Sequence, residues 1–340
     1  MTNIAFDHRQ AAHCESGTIS ALLRHAGLDI SEPMAFGLSG AMTFAYLPII
    51  KIGGMPLISY RTPPGSIVRG LTRRLGVRMK YQRFRNQQAG MQALRSHLDD
   101  AQPVGLQTSV FWLPYFPKDM RFHFNAHNLV AYGYDYNGDQ SQDTFQISDP
   151  TFESVMEADA NALQKARFVR GALAPKGLMY YPSKLPETID YRRAAKKAIR
   201  SNTNMMLRSP LPVVGVKGIR FISKRIRKLA QQHDTKLDYN KLYISNMVRM
   251  QEEIGTGGGG FRFLYASFLQ ELAGLLNQPA LQACSEQFTE SGDEWRRYAL
   301  FSAKMIKGRM PMDYDKLADQ LLKIANMEEQ ACRHLMAVKL

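Results

Sequence analysis

The chain has 340 residues, 45% of them hydrophobic and 22% charged, an ordinary balance for a soluble globular protein and enough length for two domains with sizeable cores. Its three cysteines, Cys14, Cys284 and Cys332, form no even framework and no paired metal-ligand spacing, which argues against a disulfide scaffold and for a reducing compartment. The net charge of +14 is unevenly spread: no Asp or Glu lies between Glu32 and Asp99 or between Asp190 and Asp234, so a polyanionic partner is expected, an acidic carrier protein or an anionic membrane surface, while no nucleic-acid reading motif accompanies the charge.

At the N-terminus, Asp7, His8 and Arg9 do not fit a charged-then-apolar signal sequence, and the longest apolar stretch, residues 41–50, is broken by Pro48. A cytoplasmic protein is expected. Ile19, Leu22, Leu23 and Ala26 recur at helical spacing and Gly27 suits a helix stop, so residues 14–27 are predicted helical with Cys14 in the first turn. Unpaired amides and the helix dipole there favour a thiolate over a thiol. Residues 31–40, with Pro33, Gly37 and Gly40, read as a tight irregular segment, and 44–50 and 55–60 as short strands separated by Gly53-Gly54. Helices are predicted over 66–75 and 90–98, a strand over 103–111 and a rigid Pro-containing loop over 113–117.

A hairpin follows. Residues 124–134 and 144–150 are strand-like, and Asn137-Gly138 between them is a strong turn signal. The turn sets His127 opposite Asp149 to within about one residue of register. A histidine beside a carboxylate is the orienting half of a nucleophilic triad, and Cys14 is the nucleophile it would serve. Each residue alone has an ordinary explanation: a buried small side chain, a hydrogen-bonded strand-edge histidine, a turn-opening Asp-Pro. Their combination, in the chain order of papain-like folds, carries the signal. His123 and His127 also make H-x-x-x-H, but the segment reads as loop and strand and lacks a third ligand, so no metal site is expected. His13 adjoins Cys14, yet neighbouring helical positions point about 100° apart, which makes it a poor general base.

A short helix over 158–166 and an extended segment over 171–181 close this part, and Pro182 and Pro186 mark a boundary. The expected organisation is an α+β catalytic domain over 1–185 and an α-helical domain over 186–340. Helices are predicted in the latter over 191–201, 219–232, 241–254, 261–276, 280–289, 294–306 and 314–335. Cys284 and Cys332 fall in this helical sequence as packing residues. The run 255–260 matches G-x-G-x-x-G by letter, but no strand precedes it, which argues against dinucleotide binding. Gly257, Gly258, Gly259 and Arg262 are candidates for holding a phosphate or carboxylate at the next helix start, against the alternative of a flexible connection.

The segments His13-Cys14-Glu15-Ser16-Gly17, Ser31-Glu32 to Phe36-Gly37, Leu113-Pro114-Tyr115, Ala126 to Val130 and Ile147 to Pro150 together resemble the butirosin biosynthesis protein H family. Residues 255–262 with Tyr265, Phe268 and Leu269 resemble the helical domain that commonly follows its N-terminal module. The resemblance implies a papain-like fold, with Cys14 as nucleophile, His127 as base and Asp149 as orienter. It implies acyl transfer from the phosphopantetheine thioester of an acyl carrier protein to an amine, with no tightly bound cofactor and with the helical domain as lid or carrier-docking surface. Gln10 stands closer to the cysteine than the oxyanion glutamine of the peptidase relatives, so a second oxyanion donor is unassigned. Two other readings stay open: a cysteine peptidase or amidase with the same triad, and a non-catalytic protein that binds a carrier protein or membrane.

Overall fold

The computed structural model describes residues 2–52 and 54–340; Gly53 of the expected Gly53-Gly54 separator lies outside them. The chain divides into two compact units, each made of two stretches: Met1–Ala35 with Leu75–Ile189, and Phe36–Arg74 with Asp190–Leu340. The sequence-based boundary near 185 places residues 36–74 in the first domain, whereas they pack with the second. The reason is long-range. The Tyr46 amide donates to the Val213 carbonyl at 2.9 Å, Phe36 stacks on Phe261 and Phe44 on Trp295, contacts that no local pattern announces.

In the first unit an antiparallel sheet runs Arg78–Gln82, Met179–Lys184, Val104–Thr108, His127–Asp135, Thr144–Ser148, Met156–Asp159, with Thr2–Asn3 also paired to His127–Asp135. His127–Asp135 is central and buried through Gly133, its apolar run Leu129–Tyr132 lying between neighbouring strands. The helix Cys14–His25 buries Ile19, Leu22 and Leu23. Gly105 of the sheet permits its approach, since a Cβ there would run into Leu22 and Tyr180. Leu94, Leu106, Leu129, Phe145, Ile147, Leu163 and Met179 fill the adjoining core.

The hairpin forms with a register different from the one expected. Val130 faces Ser148 and Ala131 faces Ile147, so extending the ladder puts Leu129, two residues on from His127, opposite Asp149. A shift of two keeps the same face, because side chains alternate with period two. His127 and Asp149 therefore still converge, diagonally and just past the ladder's end. Residues 31–40, expected to be irregular, contain the helix Glu32–Ser39. The Ser31 hydroxyl accepts the Met34 amide at 3.1 Å as an N-cap, and Pro33 lies in the first turn, where its missing N–H costs nothing. Gly37 is there for close approach, because any Cβ would overlap the Phe268 ring.

The second unit holds the strand pair Met42–Ile52 and Met55–Arg61 and the helices Ser66–Leu75, Tyr191–Arg208, Gly215–Leu229, His233–Glu252, Arg262–Leu276, Pro279–Ile306 and Tyr314–Ala337. The two helices expected over 280–306 are one. Gly292 lies inside this helix where the Phe263 ring packs, and leaves it intact. Among the described residues no helix is long and apolar enough to cross a membrane.

Candidate active site

Cys14 is the first residue of its helix. His13 caps that helix: its Nδ1 accepts the Ser16 amide at 3.3 Å, which explains the residue beside Cys14 as a structural cap. Cys14 is half-buried, while Cys284 and Cys332 are buried. Burial pushes the Cys284 thiol up to about 11 and, with the Glu328 charge nearby, pushes the Cys332 thiol up as well, which suits packing residues.

The loop entering this helix is pinned by Glu32. Its carboxylate accepts the amides of Ala12 and His13, both at 2.8 Å, and the Ser16 hydroxyl at 2.9 Å. Burial raises the Glu32 carboxyl, opposed by these three donors. Two of the amides preceding Cys14 are thus already engaged. Gln10 is not turned inward either: exposed, its Nε2 donates to the Thr151 carbonyl at 3.4 Å. Glu32→Ala would strand the Ala12 and His13 amides, and a loss of about 1–3 kcal/mol is expected in denaturant unfolding. An unchanged midpoint would show that these bonds are replaced by water.

His127 opens the central strand and Asp149 follows Thr144–Ser148. His127 Nε2 lies 2.7 Å from Asp149 Oδ2, both side chains buried. Burial alone would lower the imidazole; the Asp149 charge and hydrogen bond, joined by a hydrogen bond with Cys14, raise it to about 10. With Nε2 committed to Asp149, Nδ1 is the ring nitrogen left for Cys14. Burial likewise pushes the Asp149 carboxyl up, but His127 and the Thr151 amide outweigh it and hold it below the usual carboxylate range. The structure therefore brings Cys14, His127 and Asp149 together in one chain of contacts, with His127 between the other two.

Further residues complete the setting. The Tyr115 hydroxyl donates to Asp149 Oδ2 at 2.9 Å and the Thr151 amide to Oδ1 at 3.0 Å, so both carboxylate oxygens are held. The Tyr115 loop is legible in sequence, but its bond to Asp149 is not, because the two lie 34 residues apart. Phe116 meets the His127 ring edge-on at 5.5 Å and packs on Phe152, which keeps water off that side. Tyr180, buried, donates to Asn128 Oδ1 at 2.8 Å; its phenol is pushed well up by burial, then by the charges of Glu15 and Cys14. His123 stacks on Phe111 at 4.1 Å. Among the described residues no three His, Cys, Asp or Glu side chains are grouped to hold a metal ion.

The candidate anion site at Gly257, Gly258, Gly259 and Arg262 is a correction. Arg262 is fully buried, its guanidinium spent bidentately on Glu328 at 2.7 and 2.8 Å and on the carbonyls of Gly260 and Thr43. Gly258 gives its amide to Thr256 Oγ1 and Gly259 to Glu252. Gly257 through Gly260 all hold positive φ, so the glycines serve a left-handed path rather than a phosphate. Glu328 also accepts from Ser291 and from Trp295 Nε1, making this a buried structural network. The letter pattern could not distinguish the two uses.

No curated protein matches the chain. Residues 161–335, half of the chain, match the family model described as a domain of unknown function, DUF4872. Residues 13–150, the stretch that carries Cys14, His127 and Asp149, match the model described as butirosin biosynthesis protein H, N-terminal, so the chain belongs to the butirosin biosynthesis protein H-like family, with that N-terminal module followed by a DUF4872 domain.

Proposed function

We propose that this protein is an acyltransferase that takes an acyl group from the phosphopantetheine thioester of an acidic acyl carrier protein, holds it on Cys14 and passes it to an amine. The observation that carries the reading is the contact chain Cys14–His127–Asp149, with Asp149 fixed by Tyr115 and Thr151. Family membership supports a biosynthetic enzyme. A helix bearing the cysteine at its first turn, against an antiparallel sheet bearing the histidine, is the layout expected of a papain-like fold.

The reaction begins with Cys14 as the attacking thiolate and its proton on His127, whose ring lies within hydrogen-bonding reach of the sulfur. The thiolate attacks the thioester carbonyl, forming a carbon–sulfur bond and an oxyanion that faces the amide at the helix start. Collapse breaks the bond to the pantetheine sulfur, which leaves with the proton of the His127 imidazolium. Neutral His127 then takes a proton from the amine as it attacks the acyl-Cys14 thioester, and collapse restores the thiolate–imidazolium pair. Asp149 holds the ring and its charge throughout. In the unit that holds Cys14, the acid-free stretch 75–98 exposes Arg78, Lys80, Arg83 and Arg85, charge complementary to an acidic carrier protein.

A hydrolase with the same residues differs only in giving the acyl group to water. Incubation with an acyl-carrier thioester, with and without a panel of amines, followed by product analysis separates them. An N-acyl product that replaces free acid supports transfer; free acid alone, whatever the amine, supports a hydrolase.

A further inference from the structure

Within the second unit, the strand pair Met42–Ile52 and Met55–Arg61 is interrupted. Leu47 faces Leu57, and pairing resumes with Lys51 facing Pro56. Residues 48–50 therefore loop out of the ladder with nothing across from them. Ile49 is 95% exposed and Ile50 50%, so two branched aliphatic side chains are carried into solvent at the end of a hairpin. Nothing in strand formation requires that cost.

Three residues before Ile49, the same strand meets a cationic helix. The Tyr46 ring packs on Phe221 at 5.9 Å, which ties this strand to the helix Gly215–Leu229, and on Tyr243 of His233–Glu252 at 6.5 Å. On that helix Lys217, Phe221, Lys224, Arg225 and Lys228 recur at helical spacing and all are exposed, Phe221 to 40%. Flanking Arg220 and Arg227 pair with Glu329 and with Asp315 and Asp319. No carboxylate pairs with Lys224, Arg225 or Lys228 among the described residues. Both strand and helix belong to the two stretches that lack Asp and Glu altogether.

We infer that this face is a membrane-docking surface, inserting Ile49 and Ile50 among the acyl chains of an anionic lipid layer while Lys217, Lys224, Arg225 and Lys228 lie at the headgroups. The inference is independent of the acyl-transfer reading. A lipid layer asks for protruding apolar side chains ringed by positive charge, with no shaped partner and no directional bonds. The bulge offers just that, since Ile49 projects rather than lining a concave pocket that a protein helix could fill.

The test is co-sedimentation of the full chain with vesicles of phosphatidylcholine alone and of an equimolar phosphatidylglycerol–phosphatidylcholine mixture. Binding to the anionic vesicles only is expected, weakened by salt. Ile49→Ser/Ile50→Ser should lower it roughly tenfold or more, and Lys224→Glu/Arg225→Glu should abolish it. Circular dichroism and Cys14 labelling, both expected to be unchanged, confirm folding, and Ile49→Ser alone serves if the double variant does not fold. Equal binding to both vesicles, binding to neither, or binding indifferent to the isoleucines would overturn the inference. So would vesicle-free capture of an acidic carrier protein that Lys224→Glu/Arg225→Glu removes without any lipid binding, which would assign the face to a protein.

Discussion

Asp149→Asn is expected to slow acylation of Cys14 on the order of 10²- to 10⁴-fold while leaving the fold intact. The amide keeps the shape, but its single oxygen can accept at only one of the two positions that Tyr115 and Thr151 occupy on the carboxylate, and without a charge it cannot stabilise an imidazolium. The pH profile shows why. His127 lies at about 10 because the Asp149 carboxylate, aided by Cys14, overcomes burial. Acylation by the wild-type protein should therefore hold through neutrality and fall on an alkaline limb near pH 10, as the imidazolium loses its proton. In Asp149→Asn the main opposing cause is gone and burial remains, so the limb should move toward or below the ordinary imidazole range. For stability the signs follow from the same shifts. The pair contributes fully between the usual carboxylate and imidazole pKa values, about 4 and 6.5, loses its contribution as pH rises through about 10, and loses it on the acid side as Asp149 protonates. An alkaline limb that stays put in the variant would mean that Asp149 does not set the charge of His127.

The second large effect lies in the second unit. Glu328→Gln should destabilise the protein by about 3–5 kcal/mol, because it leaves the Arg262 guanidinium buried without its counter-charge. Arg262 and Glu328 are both fully inaccessible, and Glu328 also serves Ser291 and Trp295. The whole of a domain's stability is about 5–15 kcal/mol, so the loss should be plain in urea unfolding. Arg262→Met/Glu328→Met should recover only part of it, since both charges go but Ser291, Trp295 Nε1 and the Gly260 and Thr43 carbonyls lose their partners. A Glu328→Gln variant within about 1 kcal/mol of wild type would show that water or another group reaches Arg262.

Much of the site was legible from the sequence, because it rests on local signals. The Cys14 helix follows from apolar spacing with Gly27 at its stop, and the convergence of His127 and Asp149 follows from an Asn-Gly turn between two strand-like runs. The two-residue register error left the pair intact because alternation on a strand has period two. Glu32 was hidden: Ser31-Glu32-Pro33 is a helix-start signal, but Gly37 and Gly40 outweighed it, and Gly37 answers to Phe268, more than two hundred residues away. The same kind of distance hid the assignment of residues 36–74 to the second unit, which rests on Val213, Phe261 and Trp295. Arg262 failed for a chemical reason. A cation at a helix start beside glycines suits an anion, and only the structure shows that the anion is Glu328 of the same chain.

The central claim is that Cys14 carries the acyl group. It is tested most directly by incubating the protein with a panel of acyl-pantetheine and acyl-carrier thioesters and weighing it intact by mass spectrometry, beside Cys14→Ala. A mass gain equal to the acyl group, absent from the variant and discharged when an amine is added, is the predicted result. Failure of every thioester to leave an adduct, with Cys14 still alkylated faster than Cys284 and Cys332, would contradict the account and point to a hydrolase acting on an amide.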